Sequence, residues 1–435
     1  KGEYIALLDH DDKLHPHAIN CIALHILAKP DAQIFYSDED KILLNGERGD
    51  PHFKPEWNPD LLFAHNYACH LGVYKKSLID TIDGFRVGVE GSQDFDLILR
   101  ASKKCLANQI VHVPYVLYHW RMAEGSTALS AKEKNYTHDA GLKALKDYFL
   151  DQPMVTLSNG KLDNTYKVNW PISQPPPLVS IIIPTKNGLN LVKQCIESIF
   201  HYTHYPHYEI LLVDNQSDDE RSLEYFRKLQ INDKIRVIQY NYPFNYSALN
   251  NFAVKHANGS VLILLNNDIE ILNNGWFDEM VGQVCRPDIG CVGSKLYYPN
   301  NTIQHAGVIT GIGGVAGHSH KHYPKDHPGY FKRLQIVQNV SAVTAACLAV
   351  RKEVFDKVGG LDEANLTIAF NDVDFCLKVQ QAGYRNLWTP YAEMVHHESI
   401  SRGAEDTPEK VDRFNKEVNY MKKKWGKQLE KDRCY

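Results

Sequence analysis

Residues 178–200 read LVSIIIPTKNGLNLVKQCIESIF. A β-branched apolar run (178–183) stops at PTKNG. Beyond it Val192, Cys195, Ile196, Ile199 and Phe200 recur at the spacing of one helix face. The stretch predicts a buried strand, a tight polar turn and an amphipathic helix. The pattern then repeats. EILLV (209–213) ends in DNQSDDE, SLEYFRKL (222–229) is helical, and IRVIQ (235–239) is a third strand. Ser247 reads as the N-cap of a helix over 248–258, Gly259 as its C-cap glycine, and SVLILL (260–265) as a fourth strand. Apolar strands alternating with amphipathic helices predict a parallel sheet covered on both faces. In such sheets ligands bind beyond the carboxyl ends of the strands. PTKNG, DNQS and NNDIE all fall at those ends, so they are expected on one rim.

The fourth-strand segment NGSVLILLNNDI (258–269) has a counterpart at the start of the chain, KGEYIALLDHDD (1–12). Three further blocks follow in the same order: 68–85 with 346–361, SQDFDL (92–97) with FNDVDFCL (370–377), and VPYVLYHWR (113–121) with TPYAEMVHHES (389–399). Four ordered blocks point to a duplication, not to a chance apolar run. The first copy lacks a counterpart of 178–257, and its missing strands are expected upstream of residue 1. The expected organisation is the C-terminal part of a first domain over 1–150, a proline-rich linker over 151–177 that includes WPISQPPP (170–177), a complete domain over 178–403, and a helical tail over 404–435.

The chain has 435 residues, 43% hydrophobic and 23% charged, with a formal net charge of −4. This balance argues against a nucleic-acid partner. No run reaches the roughly 18–20 apolar residues that cross a bilayer. The nine cysteines form no C-x-x-C pair, which favours a reducing compartment over a disulfide framework. The tail MKKKWGKQLEKDRCY is basic, which suits a solvated helix or contact with an anionic membrane surface. The expected location is the cytoplasm, including the inner face of the plasma membrane.

Three features of the rim carry chemistry. The fourth-strand tips, Asn266-Asn267-Asp268 and Asp9-His10-Asp11, suit a hard divalent cation that in turn holds diphosphate oxygens. Asp372 and Asp94, each two residues before a second acid (Asp374, Asp96) at a helix start, suit a general base. His396 or His397, and His119, suit a third metal ligand. Thr185, Asn187, Asp214, Asn215 and Ser217 offer hydrogen bonds for a base and ribose. GIGGVA (311–316) fits a dinucleotide fingerprint but runs into GHSHKHYPKDHPG, which no helix tolerates. His318, His320 and His322 would share one side of an extended segment, either as metal ligands or as a polar loop over the rim.

PLVSIIIPTKNG, EILLVDNQS, FNYSALNNFAVKHANGSVLILLNND, TAACLAVRKEVFDKVGGLD, FNDVDFCLKVQQAGYRNLWTP and HHESISRG together resemble a family 2 glycosyltransferase of the GT-A fold. LLDHDD, IFYSDED, HFKPEW, HNYACH, GSQDFDLILR and LYHWR resemble the companion domain of tandem family 2 enzymes that build bacterial O-antigens, capsules and rhamnose-rich glycans. The resemblance implies an α/β fold of two GT-A-like modules in tandem, the first truncated at its N-terminus. It implies an inverting, Mg²⁺- or Mn²⁺-assisted hexosyl transfer from a nucleotide-sugar, dTDP-rhamnose or a UDP-hexose, to a lipid-linked glycan. Asp372 and Asp94 would be the bases. Asp268 with His396 or His397, and Asp9, Asp11 and His119, would contact the metals. Asp214 would read the nucleotide base, with Pro184, Thr185, Asn187, Asn215, Ser217, Asn251 and Asn266 around the donor. Asn266 stands where the family's metal motif has its first acid. A nucleotidyltransferase and a non-catalytic glycan-binding or scaffold module, the latter chiefly for the first copy, are the rival readings.

Overall fold

The structure, a computed structural model, describes residues 2–122, 135–397 and 407–435; residues 398–403 of HHESISRG and the expected boundary at 403 lie outside them. The chain divides into two compact units. The first contains 1–169, 331–336 and 433–435, and the second contains 170–330 and 337–432.

In the first unit the strands are β1 (Tyr4–Ala6), β2 (Lys13–Leu14), β3 (Ile34–Ile42), β4 (Arg48–His52), β5 (Gly72–Lys75) and β6 (Ile110–Arg121). They form one sheet in the order β1-β5-β3-β6-β2, with β4 on β3. Its helices are α1 (Ala18–Ala28), α2 (Pro59–Ala64), α3 (Lys76–Thr81), α4 (Gln93–Ser102) and α5 (Asn135–Tyr148). β7 (Thr156–Asn159) and β8 (Tyr166–Asn169) pair antiparallel. The expected linker over 151–177 therefore contains a folded hairpin, and Tyr166 and Val168 are buried within the first unit.

The second unit opens with β9 (Val179–Thr185), α6 (Leu189–Tyr202), β10 (Tyr208–Asp214), α7 (Glu220–Leu229), β11 (Ile235–Gln239), α8 (Tyr246–His256) and β12 (Val261–Leu265), the alternation read from sequence. Then come β13 (Ile269–Ile271), α9 (Trp276–Val284), β14 (Ile289–Tyr297), β15 (Ile303–His305), β16 (Val308–Thr310), β17 (Ala316–His318), β18 (Gln338–Val340) and β19 (Cys347–Arg351). α10 (Lys352–Lys357), α11 (Asn371–Gln381), β20 (Arg385–His396) and α12 (Pro408–Trp425) complete it. Among the described residues ten strands share one sheet, in the order β11-β10-β9-β12-β19-β14-β20-β13, with β15 on β14 and β18 on β20. β9, β10, β11 and β12 are mutually parallel where they pair. Every residue of β10 and β12 is buried, as strands covered on both faces must be.

Two local readings change. Asn245, not Ser247, caps α8 by accepting from the Ala248 N–H (3.0 Å), while Ser247 is buried and donates to the Leu366 carbonyl (2.5 Å). Gly259 is no left-handed cap. A Cβ there would lie 2.6 Å from the Ser180 nitrogen, so the position is glycine because β12 enters hard against β9.

The strand order β12-β19-β14-β20-β13 repeats β1-β5-β3-β6-β2 element for element, with the same parallel and antiparallel senses. GIGGVA forms the turn between β16 and β17, so no dinucleotide-type helix follows it. The three histidines do not share one side of a strand. His318 ends β17 and bonds His305 (3.0 Å), while His320 and His322 take positive φ values of 52° and 67°. His322 stacks on Tyr298.

Candidate active site

Parallel pairing puts the carboxyl ends of β9, β10 and β12 on one edge, where Asp214 stands opposite Thr185 and Gln239. Side chains lace the three ends together. Asn187 (φ 55°) and Gly188 (φ 70°) turn the chain after β9. The Asn187 N–H donates to Ser217 Oγ (2.7 Å), and Asn187 Oδ1 accepts from the amides of Asp218 and Asp219. Asn267 Nδ2 donates to Thr185 Oγ1 (2.9 Å). Pro184 is half-buried at the end of β9. Asp214 is buried, accepting from the Ser217 N–H (3.0 Å) and Gln239 Nε2 (3.1 Å). Asn215 spends its amide on the Tyr240 and Tyr242 carbonyls. Asn251 likewise holds the loop at Leu361, accepting from its N–H and donating to its carbonyl and to Glu363. Both amides tie loops of the framework together at the rim.

Past β12 the chain reaches the acidic tip. Asp268 Oδ1 lies 3.1 Å from His396 Nε2. His396 Nδ1 is 2.7 Å from Gln304 Oε1, so the Nδ1–H donates to Gln304 and Nε2 is the ring nitrogen turned to Asp268. Asn266 Nδ2 lies 3.4 Å from that same Nε2. Asn266 Oδ1 accepts from the Tyr246 hydroxyl (3.3 Å), which is also 3.0 Å from the Ala345 carbonyl. The Ala345 N–H in turn donates to Asp372 Oδ2 (3.1 Å). A continuous polar path thus joins Asp268, His396, Asn266, Tyr246 and Asp372, with Asp372 in the first turn of α11 and half-exposed. His397 points the other way, as the next residue after a strand must. It sits 3.1 Å from Glu270 Oε2, at the side of an open groove of about 570 Å³ that Glu270, Gln194 and Glu197 help to line. Of the two candidate histidines, His396 meets the acid.

Asp268 and His396 also fit a cation by distance. The 3.1 Å separation suits an Nε2–H···carboxylate ion pair, and it equally suits two ligands of one cation. Bonds of about 2.1 Å at right angles to one hard cation would put its donors roughly 3 Å apart.

In the first unit the expected metal ligands do not converge. Asp9 and Asp11 are exposed, and the His119 ring bonds Asp40 on the neighbouring strand (2.6 Å). The pairing explains the slip. His119 stands opposite Lys13 as His396 stands opposite Ile269, so the residue in the place of Asp268 is Asp12. Asp12 is bound by the Tyr118 hydroxyl (2.5 Å) and the Arg121 N–H (2.7 Å). Asp94 occupies the first turn of α4, as Asp372 does in α11. The second acids of both pairs are anchors. Asp96 is held by Arg86 and Arg100, and Asp374 by Lys424 (2.6 Å) and the Trp425 indole N–H (2.8 Å).

Residues 180–359 match the model of the family Glycosyl transferase family 2. The chain carries a family 2 domain. That span contains the first three strand ends and Asp268, while Asp372 and His396 lie beyond it. Over 428 residues the chain is 50% identical to the uncharacterized protein y4gI of Sinorhizobium fredii, covering 98% of this chain and 47% of that protein. It is 35% identical over 410 residues to the O-antigen biosynthesis protein RfbC of Myxococcus xanthus, covering 94% of this chain and 32% of that one. The chain therefore spans less than half the length of either relative. Among solved structures, GalNAc-T7 with UDP, GalNAc and Mn²⁺ superposes with a TM-score of 0.47 at 16% identity, over 59% of this chain and 49% of that one.

Proposed function

We propose that the second unit is the transfer centre of an inverting glycosyltransferase, moving a hexosyl group from a nucleoside-diphosphate sugar to a hydroxyl of a growing surface glycan. The observation that carries this reading is the polar path from Asp268 and His396 through Asn266 and Tyr246 to Asp372. An inverting displacement needs no enzyme nucleophile. It needs a base on the acceptor and positive charge on the leaving diphosphate. Asp372, half-exposed at the start of α11, takes the acceptor proton. Asp268 and His396 would hold Mg²⁺ or Mn²⁺, with Gln304 orienting the imidazole. A cation held there would supply positive charge to the departing diphosphate. The turns at Thr185, Asn187 and Ser217 line the donor side, with Asp214 behind them.

The likeness to an O-antigen biosynthesis protein supports a surface glycan as the product; with it we propose a lipid-linked glycan as acceptor and dTDP-rhamnose or a UDP-hexose as donor. The matching strand order supports reading the first unit as a second, related module. Among the described residues no helix is long and apolar enough to cross a membrane. We place the work at the cytoplasmic face, where nucleotide-sugars are available.

Incubation with nucleotide-sugar and acceptor should release free nucleoside diphosphate, and Asp372→Asn should cut that release. Pyrophosphate released from a nucleoside triphosphate would favour nucleotidyl transfer instead. Glycan binding without either product would favour a scaffold.

A further inference from the structure

We propose that the first unit holds a zinc-type transition-metal ion between Cys69, His70 and Asp94. Sγ of Cys69, a ring nitrogen of His70 and a carboxylate oxygen of Asp94 lie within 4.8 Å of one another, a set that, among the described residues, recurs nowhere else. The site belongs to the first unit alone and does not depend on the transfer centre proposed for the second.

The fold shows why these residues meet. Cys69 and His70 lead into β5, and Asp94 sits in the first turn of α4. In the second unit the pairing of β12 with β19 gives the matching positions to Ala345 and Ala346, and the matching acid is Asp372. There the alanines leave the acid open to a substrate and offer it only a backbone N–H. In the first unit a thiol and an imidazole fill the same place. That exchange turns a hard, oxygen-rich rim into a mixed sulfur, nitrogen and oxygen set, which suits zinc and its neighbours better than Mg²⁺.

The surroundings are those of a metal site. Glu39 Oε2 bonds His70 Nδ1 (3.0 Å), the carboxylate–imidazole contact that orients a metal-binding histidine. Lys54 pairs with the same Glu39 oxygen (3.7 Å) and His52 with the other (3.3 Å), and the His70 ring stacks on Tyr118. Asn66 Nδ2 donates to Asp94 Oδ2 (2.8 Å), and the Cys69 thiol donates to the Asn66 carbonyl (3.4 Å). Asn66 Oδ1 is buried without a hydrogen-bond partner, an orphaned acceptor beside the cluster. Binding replaces the Cys69 thiol proton with the metal and releases that proton to solvent.

The test loads the full chain with Co²⁺ and with Zn²⁺. The proposal expects one equivalent of tightly held Zn²⁺ and a thiolate-to-cobalt charge-transfer band in the near ultraviolet. The band should vanish in Cys69→Ala, and Zn²⁺ affinity should fall at least tenfold in Asp94→Asn. Asp268→Ala, in the other unit, should keep both signals. No charge-transfer band in the wild-type protein would overturn the proposal, and this arm needs no variant to fold. A Cys69→Ala protein with the band intact, or an Asp268→Ala protein without it, would overturn it equally.

Discussion

Asp372 carries the heaviest chemical assignment. A base in proton transfer contributes typically 10²–10⁴-fold, so Asp372→Asn should lower kcat by about that factor while nucleotide affinity stays within twofold. Steady-state release of nucleoside diphosphate beside a binding titration reads both, and full turnover in Asp372→Asn would remove the assignment. Gln304 is a positioning residue. Its bond to His396 Nδ1 holds the ring with Nε2 facing Asp268. Gln304→Ala should weaken Mn²⁺-dependent nucleotide binding roughly 10–100-fold and leave metal-free binding unchanged. The placement of Asp268, Asp372 and His396 at element ends was legible in the sequence, because each stands in a recurring block. Gln304 and Tyr246 were not, because they arrive from β15 and α8 and no local spacing announces them. The choice between His396 and His397 needed the strand's alternation, and the first unit's acid was misplaced by one residue for want of the pairing register.

Among the elements, the strand–helix alternation from 178 to 265 was readable because buried parallel strands are uniformly apolar and their helices periodic. The polar ties between elements were not. Glu209, nearly buried on β10, accepts from Ser180 Oγ, the Asn258 amide and Arg236, binding β9, β11 and the entry to β12. Burial opposes its charge, but these donors outweigh burial and hold its carboxyl below the usual value. A depressed carboxylate stabilises the fold above its unfolded pKa, near 4.3, and that contribution is lost as pH falls through the lower folded value. Glu209→Gln should therefore lower Tm at pH 7, with the gap to wild type closing below about pH 4. A gap that persists at pH 3 would contradict this. The tail helix α12, expected as a solvated helix or as a contact with an anionic membrane surface, packs on the second unit through buried Glu417, Met421 and Trp425. Buried Glu417 accepts from Thr367 Oγ1 (2.8 Å) and the amides of Ile368 (3.0 Å) and Ala369 (3.1 Å), just ahead of Asp372. Glu417→Ala strands those donors, at about 1–3 kcal/mol each when buried. Urea unfolding should show a loss of about 3 kcal/mol, and kcat should fall with nucleotide binding retained.

At the scale of the whole molecule, the repeated strand order is the feature that organises the chain. The sheets of both units share it, including the parallel β3–β6 and β14–β20 pairs. The hairpin at 156–169 escaped notice because its strands are four residues each and only Tyr166 and Val168 are buried. A module that binds nucleotide-sugar in its folded state is stabilised by it. A thermal-shift panel of UDP-, GDP- and dTDP-sugars with Mn²⁺ should single out one base, and chelator should abolish the shift. The most direct test of the transfer centre is a calorimetric titration of UDP and dTDP, with and without Mn²⁺, into the wild-type chain and Asp268→Ala. The account predicts Mn²⁺-dependent binding of at least one diphosphate to the wild type and none to the variant. Equal Mn²⁺-dependent binding to both proteins would contradict it.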